Sequence, residues 1–270
     1  MLPDLRLQAS LPRLGRMELT ELLQRASRIV AFTGAGVSTE SGIPDFRSPG
    51  GVWTRYDPRN FEFDRYVEDP ECRRMSWEMR REFFAVDVAP NPAHIALARL
   101  EEAGRSLGVI TQNIDGLHQD AGSQRVAELH GTAREVMCIG HSPMHGTPDG
   151  CGWRDQHTWA FERLESGDGD PACPVCGGLV KSATVSFGQM LFPGVVEEAT
   201  EMARSCDLLL AIGSSLQVYP AAALPMEAVS SGADLVILND EPTPYDDVAT
   251  LVVRGRAGEV LGPAVEAVLG

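Results

Sequence analysis

Four apolar runs in this chain end in the same way. "RIVAF" runs into "TGAG", "LGVI" into "TQNIDG", "DLLLAI" into "GSS" and "ADLVIL" into "ND". Each run is about the length of a strand, and each stops at glycine or small polar residues. Continuous apolar runs, as opposed to alternating ones, suit strands buried on both faces, which implies a parallel sheet covered by helices. In such sheets a ligand sits outside the carboxyl ends of the strands. Here those ends carry Gly34 and Gly36, residues 112–115, residues 213–215, and Asn239 with Asp240. Four such ends predict one polar crevice.

Helical segments separate the runs. "MELTELLQRASRI" places leucines at helical spacing, and "NPAHIALARLEEAG" carries Pro92 near a helix start and Gly104 at its end. "ATLVVRG" predicts a last strand, and "AGEVLGPAVEAVLG" a closing helix broken near Pro263. No internal repeat is present. The fold class is α/β, a Rossmann-like parallel sheet with helices on both faces, in three parts: 15–47, 90–132 and 182–270. A helical insert at 48–89 and a cysteine-bearing module at 133–181 interrupt it. The insert holds about half of the aromatic residues, and "VEDPECRRMSWEMRREFF" reads as helical. It is expected to form its own aromatic core, with an inner wall that closes over an apolar substrate.

Net charge is −15, with 38 acidic and 23 basic residues among 270. This argues against non-specific binding to nucleic acid, which draws its affinity largely from Lys and Arg on phosphates. It suits a soluble acidic surface and is compatible with a basic, lysine-bearing partner. No stretch is apolar and long enough to span a bilayer, and "MLPDLRLQASLPRLGR" lacks the features of an export signal. The expectation is a cytoplasmic protein.

The "GAG" at residues 34–36 follows the first apolar run, as in a dinucleotide site where backbone amides and a helix start meet a pyrophosphate. Two parts of that pattern are missing. The third glycine is replaced by Thr39, and no acidic residue ends a second strand about 20 positions on. The loop "GIPDFRSPGGVW" stands there instead. Its Asp45, Phe46 and Arg47 could fold over the nicotinamide end of a cofactor. Hydride transfer is improbable on this pattern.

Gln112, Asn113 and Asp115 sit just past a strand, where ligand contacts are expected. His130, in "ELHG", is a candidate general base, because imidazole titrates near working pH and can take a proton from a sugar hydroxyl. His118 is a rival, and spacing does not separate the two.

Four of the six cysteines fall between residues 138 and 176. "CPVCGG" is a C-x-x-C-G knuckle containing Cys173 and Cys176. Cys138 and Cys151 are separated by twelve residues, yet Cys151 is followed by Gly152 just as Cys176 is followed by Gly177. This reads as a second knuckle stretched by an inserted loop. Four thiolates would close a tetrahedral, structural zinc site with no place for a catalytic water. His141 in place of Cys151 is the rival ligand set. Cys72 and Cys206 stand apart and are expected to be buried and inert.

The segments "GAGVSTESGIPDFR", "PNPAHIAL", "TQNIDGLH", "ELHG", "CPVCGG", "FGQ", "DLLLAIGSSLQVYPAA", "LVILND" and "RGRAGEVL" run in order from about residue 29 to 262. Together they resemble the sirtuins, NAD-dependent protein-lysine deacylases. The resemblance implies that NAD is consumed as a reagent, and that free lysine, nicotinamide and O-acyl-ADP-ribose are the products. It implies that His130 is the base and that Gln112, Asn113 and Asp115 line the nicotinamide-ribose end. Gly34, Ala35, Gly36, Asp45, Phe46 and Arg47 would hold the cofactor, and Gly213, Ser214, Ser215, Asn239 and Ala257 the rest of the dinucleotide. Val185, Phe187, Gly188 and Val218 would line the acyl-lysine tunnel, where a peptide pairs as an added strand.

The chain departs from the family's pattern at three places. "FGQ" stands for the usual "FGE", Ser214 for a frequent Thr, and the knuckle is stretched. Members that prefer succinyl or malonyl lysine carry Tyr and Arg three residues apart in the insert; "MSWEMRREFF" has Arg80 and Arg81 but no Tyr. Neutral acyl groups are therefore expected. A protein mono-ADP-ribosyltransferase and a non-catalytic NAD or ADP-ribose sensor are the alternatives, the second opposed by the intact His130 and Asn113.

Overall fold

The computed structural model describes residues 5–270 apart from 144, 145 and 147, and of residues 5–14 the backbone alone. Part of the loop inserted between Cys138 and Cys151, and the start of the segment read as lacking an export signal, lie outside the described residues. In chain order the elements are α1 (Leu5–Arg25), β1 (Ile29–Thr33), α2 (Val52–Arg55), α3 (Phe63–Glu68), α4 (Pro70–Phe84), α5 (Pro92–Glu102), β2 (Ser106–Thr111), α6 (Leu117–Asp120) and β3 (Val126–Glu128). They continue with β4 (Gly131–Gly140), β5 (Arg154–Gln156), α7 (His157–Glu165), β6 (Leu179–Thr184), α8 (Pro193–Ser205), β7 (Leu208–Ile212), α9 (Leu224–Ser230), β8 (Asp234–Leu238), β9 (Leu251–Val253) and α10 (Ala257–Leu269).

The main sheet has six parallel strands in the order β3-β2-β1-β7-β8-β9. Counting only its own strands, this is the doubly wound order 3-2-1-4-5-6. Every residue of β1 and β7 is buried. Alternate side chains feed two cores. Ile29, Ala31, Leu208 and Leu210 pack with Leu19, Leu23, Leu97, Leu100, Leu261 and Val265 from α1, α5 and α10. Val30, Phe32, Leu209 and Ala211 pack on the other face with Met202, Ala203 and Ala228 from α8 and α9. Burial of a side chain such as Phe32 contributes on the order of 2 kcal/mol.

Local signals set the helix ends. Asn91 accepts from the Ala93 amide ahead of Pro92, which starts α5, and Gly104 ends the turn after it with φ 67°. α10 does not break at Pro263 but runs through it. The residue before Pro263 is Gly262, which has no Cβ for the proline ring to strike. Asp69 and Pro70 divide the helical stretch of the insert into α3 and α4.

A second sheet, β5-β4-β6, is antiparallel, with Cys138 on β4 and Cys151, Cys173 and Cys176 in its connections. The insert does not build a core of its own. Trp77 of α4 packs with Val136, Cys138, Ala160 and Val180, and Phe63 and Tyr66 of α3 pack with Ile139. The Tyr66 hydroxyl donates to the Val180 carbonyl at 2.7 Å. Insert and second sheet leave the main sheet after β1 and β3, so both rise from its carboxyl edge and wall the crevice there.

Candidate active site

The strand order places β1 beside β7 at the point where the winding reverses, and a crevice opens outside their carboxyl ends. The backbones touch there. The Gly36 amide donates to the Gly213 carbonyl at 2.8 Å, and the Gly34 amide to the Ile212 carbonyl at 3.0 Å. A Cβ on Gly36 would lie 2.8 Å from Gly213 Cα; one on Gly213, whose φ is 61°, would lie 2.2 Å from the Val37 amide nitrogen. The glycines therefore do two things: they let β1 and β7 loops interlock, and they leave a cradle of backbone without side chains.

Polar residues from three strand ends join beneath this cradle. Asn113 Nδ2 donates to Ser38 Oγ at 3.0 Å and to the Gly34 carbonyl at 3.2 Å. Ser38 Oγ donates to Asp115 Oδ2 at 2.7 Å. Gln112 Nε2 donates to Ser214 Oγ at 2.8 Å, and Arg47 Nη1 to Ser215 Oγ at 3.0 Å. The residues that follow β2 thus contribute two side-chain amides and a half-buried aspartate to this network.

The two histidines separate clearly. His130 is half-buried, and its Nδ1 lies 2.9 Å from the Gln112 carbonyl oxygen. A carbonyl only accepts, so Nδ1 carries the proton and Nε2 keeps a lone pair. Burial lowers its pKa below the ordinary value, opposed in part by the Gln112 carbonyl. His118 is 1 % exposed and sits under the sheet end, with Nε2 2.9 Å from Thr33 Oγ1. Burial and the neighbouring His94 hold its pKa down to about 3, and the two rings meet edge-on at 4.8 Å. His118 is a neutral structural group; His130 has the geometry of a base.

The loop after β1 is ordered by its own aspartate. Asp45 Oδ1 accepts from the Arg47 and Ser48 amides at 3.0 and 2.7 Å, and Oδ2 from Ser48 Oγ at 2.5 Å. Its carboxylate shapes the loop that presents Phe46. Phe46 is 42 % exposed and leans on Trp53 at 5.2 Å; Trp53 in turn contacts Phe61 and Phe187. Trp53 and Phe61 of the insert thus join Phe46 and Phe187 in one aromatic cluster. Phe187 and Gly188 are exposed, Val185 and Val218 half-buried, and the Val185 amide donates to the His130 carbonyl at 2.8 Å. Arg80 of α4 reaches Thr184, the residue before this segment, with Nη2 2.9 Å from Thr184 Oγ1, and its sealed Nε has no partner among the described residues.

Asn239 and Ala257 stand further along the carboxyl edge. Asn239 Nδ2 donates to the Glu241 carbonyl at 2.8 Å. Ala257 opens α10, whose next amide, Gly258, donates to Glu40 Oε2 at 2.6 Å and so ties the helix start to the glycine loop. Ala35 lies between the two glycines of the cradle, half-buried. Sequence reasoning missed Ser38, Glu40 and His94. Ser38 and Glu40 lie within the quoted glycine loop; their polar side chains beside a strand end were the available signal.

The four cysteine sulfurs at 138, 151, 173 and 176 lie within 4.8 Å of one another, with Cys138–Cys176 at 3.5 Å and Cys151–Cys173 at 3.7 Å. A tetrahedral zinc with bonds of about 2.3 Å separates its sulfurs by about 3.8 Å, so the donor set fits. His141 is not part of it: its Nε2 lies 2.8 Å from the Cys176 carbonyl. That bond braces the knuckle from outside the ligand set. Cys72 and Cys206 are buried, and burial raises both thiols, Cys206 to about 11.

Comparison with known proteins agrees with this geometry. The Sir2 family model matches residues 34–220. NAD-dependent protein deacetylase 1 of Bradyrhizobium diazoefficiens is 48% identical over 266 residues, covering 97% of this chain and 99% of the relative. NAD-dependent protein deacetylase 2 of Streptomyces coelicolor is 47% identical over 247 residues, covering 90% and 98%. A solved Sir2 enzyme superposes with a TM-score of 0.82 at 41% identity, covering 94% of this chain and 98% of that one. Another, solved with a p53 peptide and NAD+, superposes at 0.81 with 39% identity, covering 93% and 97%. By the family model across residues 34–220 and by 48% identity over nearly the whole length of a relative, the chain belongs to the Sir2 family.

Proposed function

We propose that this chain works as an NAD-dependent protein-lysine deacetylase in which His130 is the base and the β1–β7 cradle holds the dinucleotide. The observation that carries the reading is the 2.9 Å contact between His130 Nδ1 and the Gln112 carbonyl, which leaves Nε2 as the unprotonated ring nitrogen. Bound NAD supplies an electrophilic ribose carbon, a nicotinamide leaving group and the hydroxyl that receives the acyl group. Every other task falls to the chain. Gly34, Ala35 and Gly36, with Gly213 to Ser215, admit the diphosphate against bare backbone. Asn113 and Asp115, held by Ser38, orient the ribose end, and Asn239 and Ala257 border the remainder. Phe46 and Trp53 exclude water from the nicotinamide side. His130 Nε2 takes the proton of the accepting hydroxyl, and the Gln112 carbonyl stabilises the imidazolium so formed.

The peptide is placed by Val185, Phe187, Gly188 and Val218. The Gly188 backbone has no partner among the described residues and offers an edge to an extended chain. Zinc, held by the four thiolates, ties the second sheet together and takes no part in proton transfer. Acetyl is the proposed acyl group. A second reading, an acidic acyl chain, draws on the unpartnered Nε of Arg80 beside Thr184. Incubating acetyl- and succinyl-lysine peptides with NAD and weighing the products distinguishes them: loss of acetyl supports the first reading, loss of succinyl alone the second.

A further inference from the structure

Two departures from the family pattern meet in space. The loop stretched between Cys138 and Cys151 reaches the "FGQ" segment, and the contact is through backbone. The Met190 amide donates to the Gly146 carbonyl at 3.1 Å. Gly146 is buried, has φ 72°, and is pressed so close that a Cβ there would lie 2.0 Å from the Gly188 carbonyl oxygen and 2.9 Å from Gln189 Cα. Only glycine fits such an approach in that conformation.

The segment is held from the opposite side as well. The Phe187 amide donates to the Phe61 carbonyl, and the Phe63 amide to the Phe187 carbonyl, both at 2.9 Å. Inside it, Gln189 Oε1 accepts from the Ser186 amide at 3.0 Å, and the Gln189 amide donates to the Ser186 carbonyl at 3.0 Å. Residues 186–190 are therefore a short span clamped by the helical insert at Phe187 and by the cysteine loop at Met190. Gly188 lies between the clamps, exposed.

The base of the loop is fixed at the metal site. The Asp149 amide donates to the Ile139 carbonyl at 3.2 Å, and Gly150 packs so tightly that a Cβ would lie 2.0 Å from the Cys138 carbonyl oxygen. The loop thus leaves from one thiolate and returns to another, and its described tip rests on the peptide-pairing segment.

We propose that Gly146, which lies between the ligand cysteines Cys138 and Cys151, is a positioning residue that sets the edge on which an extended acyl-lysine peptide pairs. Its contact acts on peptide affinity and not on the chemical step. The inference rests on the reading of residues 185–188 as the peptide-pairing segment.

The test uses the full-length, zinc-loaded protein. Gly146→Val drives a side chain into Gly188, and Met190→Pro removes the amide that Gly146 accepts from. A fluorescently labelled ten-residue acetyl-lysine peptide is titrated for binding by anisotropy, NAD by calorimetry, and zinc is counted in each sample. The account expects peptide affinity to fall by roughly tenfold or more in both variants, with NAD affinity within about twofold and zinc retained. In turnover the peptide KM rises while kcat holds. Unchanged peptide affinity in Met190→Pro with zinc retained overturns the proposal. So does parallel loss of peptide and NAD affinity in both variants, because the contact is then merely structural. Failure of the wild-type protein to bind the peptide overturns the underlying reading of residues 185–188 instead.

Discussion

His130 Nδ1 and the Gln112 carbonyl oxygen stand 2.9 Å apart, across two neighbouring strand ends of one parallel sheet. β2 and β3 are adjacent, so the residue after one strand fixes the tautomer of a histidine after the other. The same Gln112 reaches β7 through its side chain, at Ser214. One residue thereby links His130 to the strand that borders the cradle.

His130→Ala removes the base and leaves the glycine cradle intact. Deacetylation is expected to fall by about 10² to 10⁴-fold. NAD binding, measured by calorimetry, is expected to stay within about threefold of wild type. Turnover at the wild-type rate contradicts the assignment.

The pH profile follows from the direction of the His130 shift. Burial holds its pKa below the ordinary 6.5, so the neutral, proton-accepting form persists into more acidic solution. The acid limb of kcat/KM is expected to have its midpoint below 6.5. A midpoint above that value points to a base other than this ring.

His118 bears on stability instead. Its folded-state pKa is about 3 against an ordinary 6.5, so below pH 6.5 the unfolded chain binds a proton that the folded chain refuses. Stability is present above 6.5 and is lost as pH falls toward 3, at up to about 1.4 kcal/mol per pH unit for this one group. Urea unfolding from pH 7.5 to 4.5 should show a steeper decline for wild type than for His118→Asn. Parallel curves contradict a buried neutral His118.

Gly213 is where backbone conformation and close packing coincide. With φ 61° and only 2.2 Å between a notional Cβ and the Val37 nitrogen, Gly213→Ala must push the β1 and β7 loops apart. A destabilisation of about 2 kcal/mol or more is expected, together with weakened NAD binding. Chemical denaturation and calorimetry on the same sample read both effects.

The sulfur cluster predicts one zinc per chain. Cys176→Ser, or a strong chelator, should release the metal and open the second sheet, while β1 and β7 keep their amide protection. Hydrogen exchange resolves the two sheets. Full activity in protein shown to be metal-free contradicts a structural zinc.

Much of this was legible in the sequence, for physical reasons that also mark the limits. β1, β7 and β8 are buried on both faces, so they read as unbroken apolar runs. Pro92 and Gly104 mark the ends of α5 because helix ends are set by local chemistry. The stretched knuckle was readable from two Cys-Gly pairs, although only the sulfur positions separate Cys151 from His141. β3 is three residues long and β5 is exposed, so neither leaves an apolar pattern. The shared core of Trp77 with Val136 and of Tyr66 with Ile139 is tertiary, and no periodicity within the insert reports it. The roles of Ser38 and His94 depend on side chains from distant segments meeting under the crevice. His118 and His130 look alike in sequence; one strand end buries the first and half-exposes the second.

The most direct measurement is mass spectrometry of an acetyl-lysine peptide incubated with the protein, with and without NAD. The account predicts NAD-dependent loss of acetyl, with nicotinamide and O-acetyl-ADP-ribose formed in equal amounts, and none of these with His130→Ala. An acetyl group retained while ADP-ribose appears on protein, or acetyl lost without NAD, would contradict it.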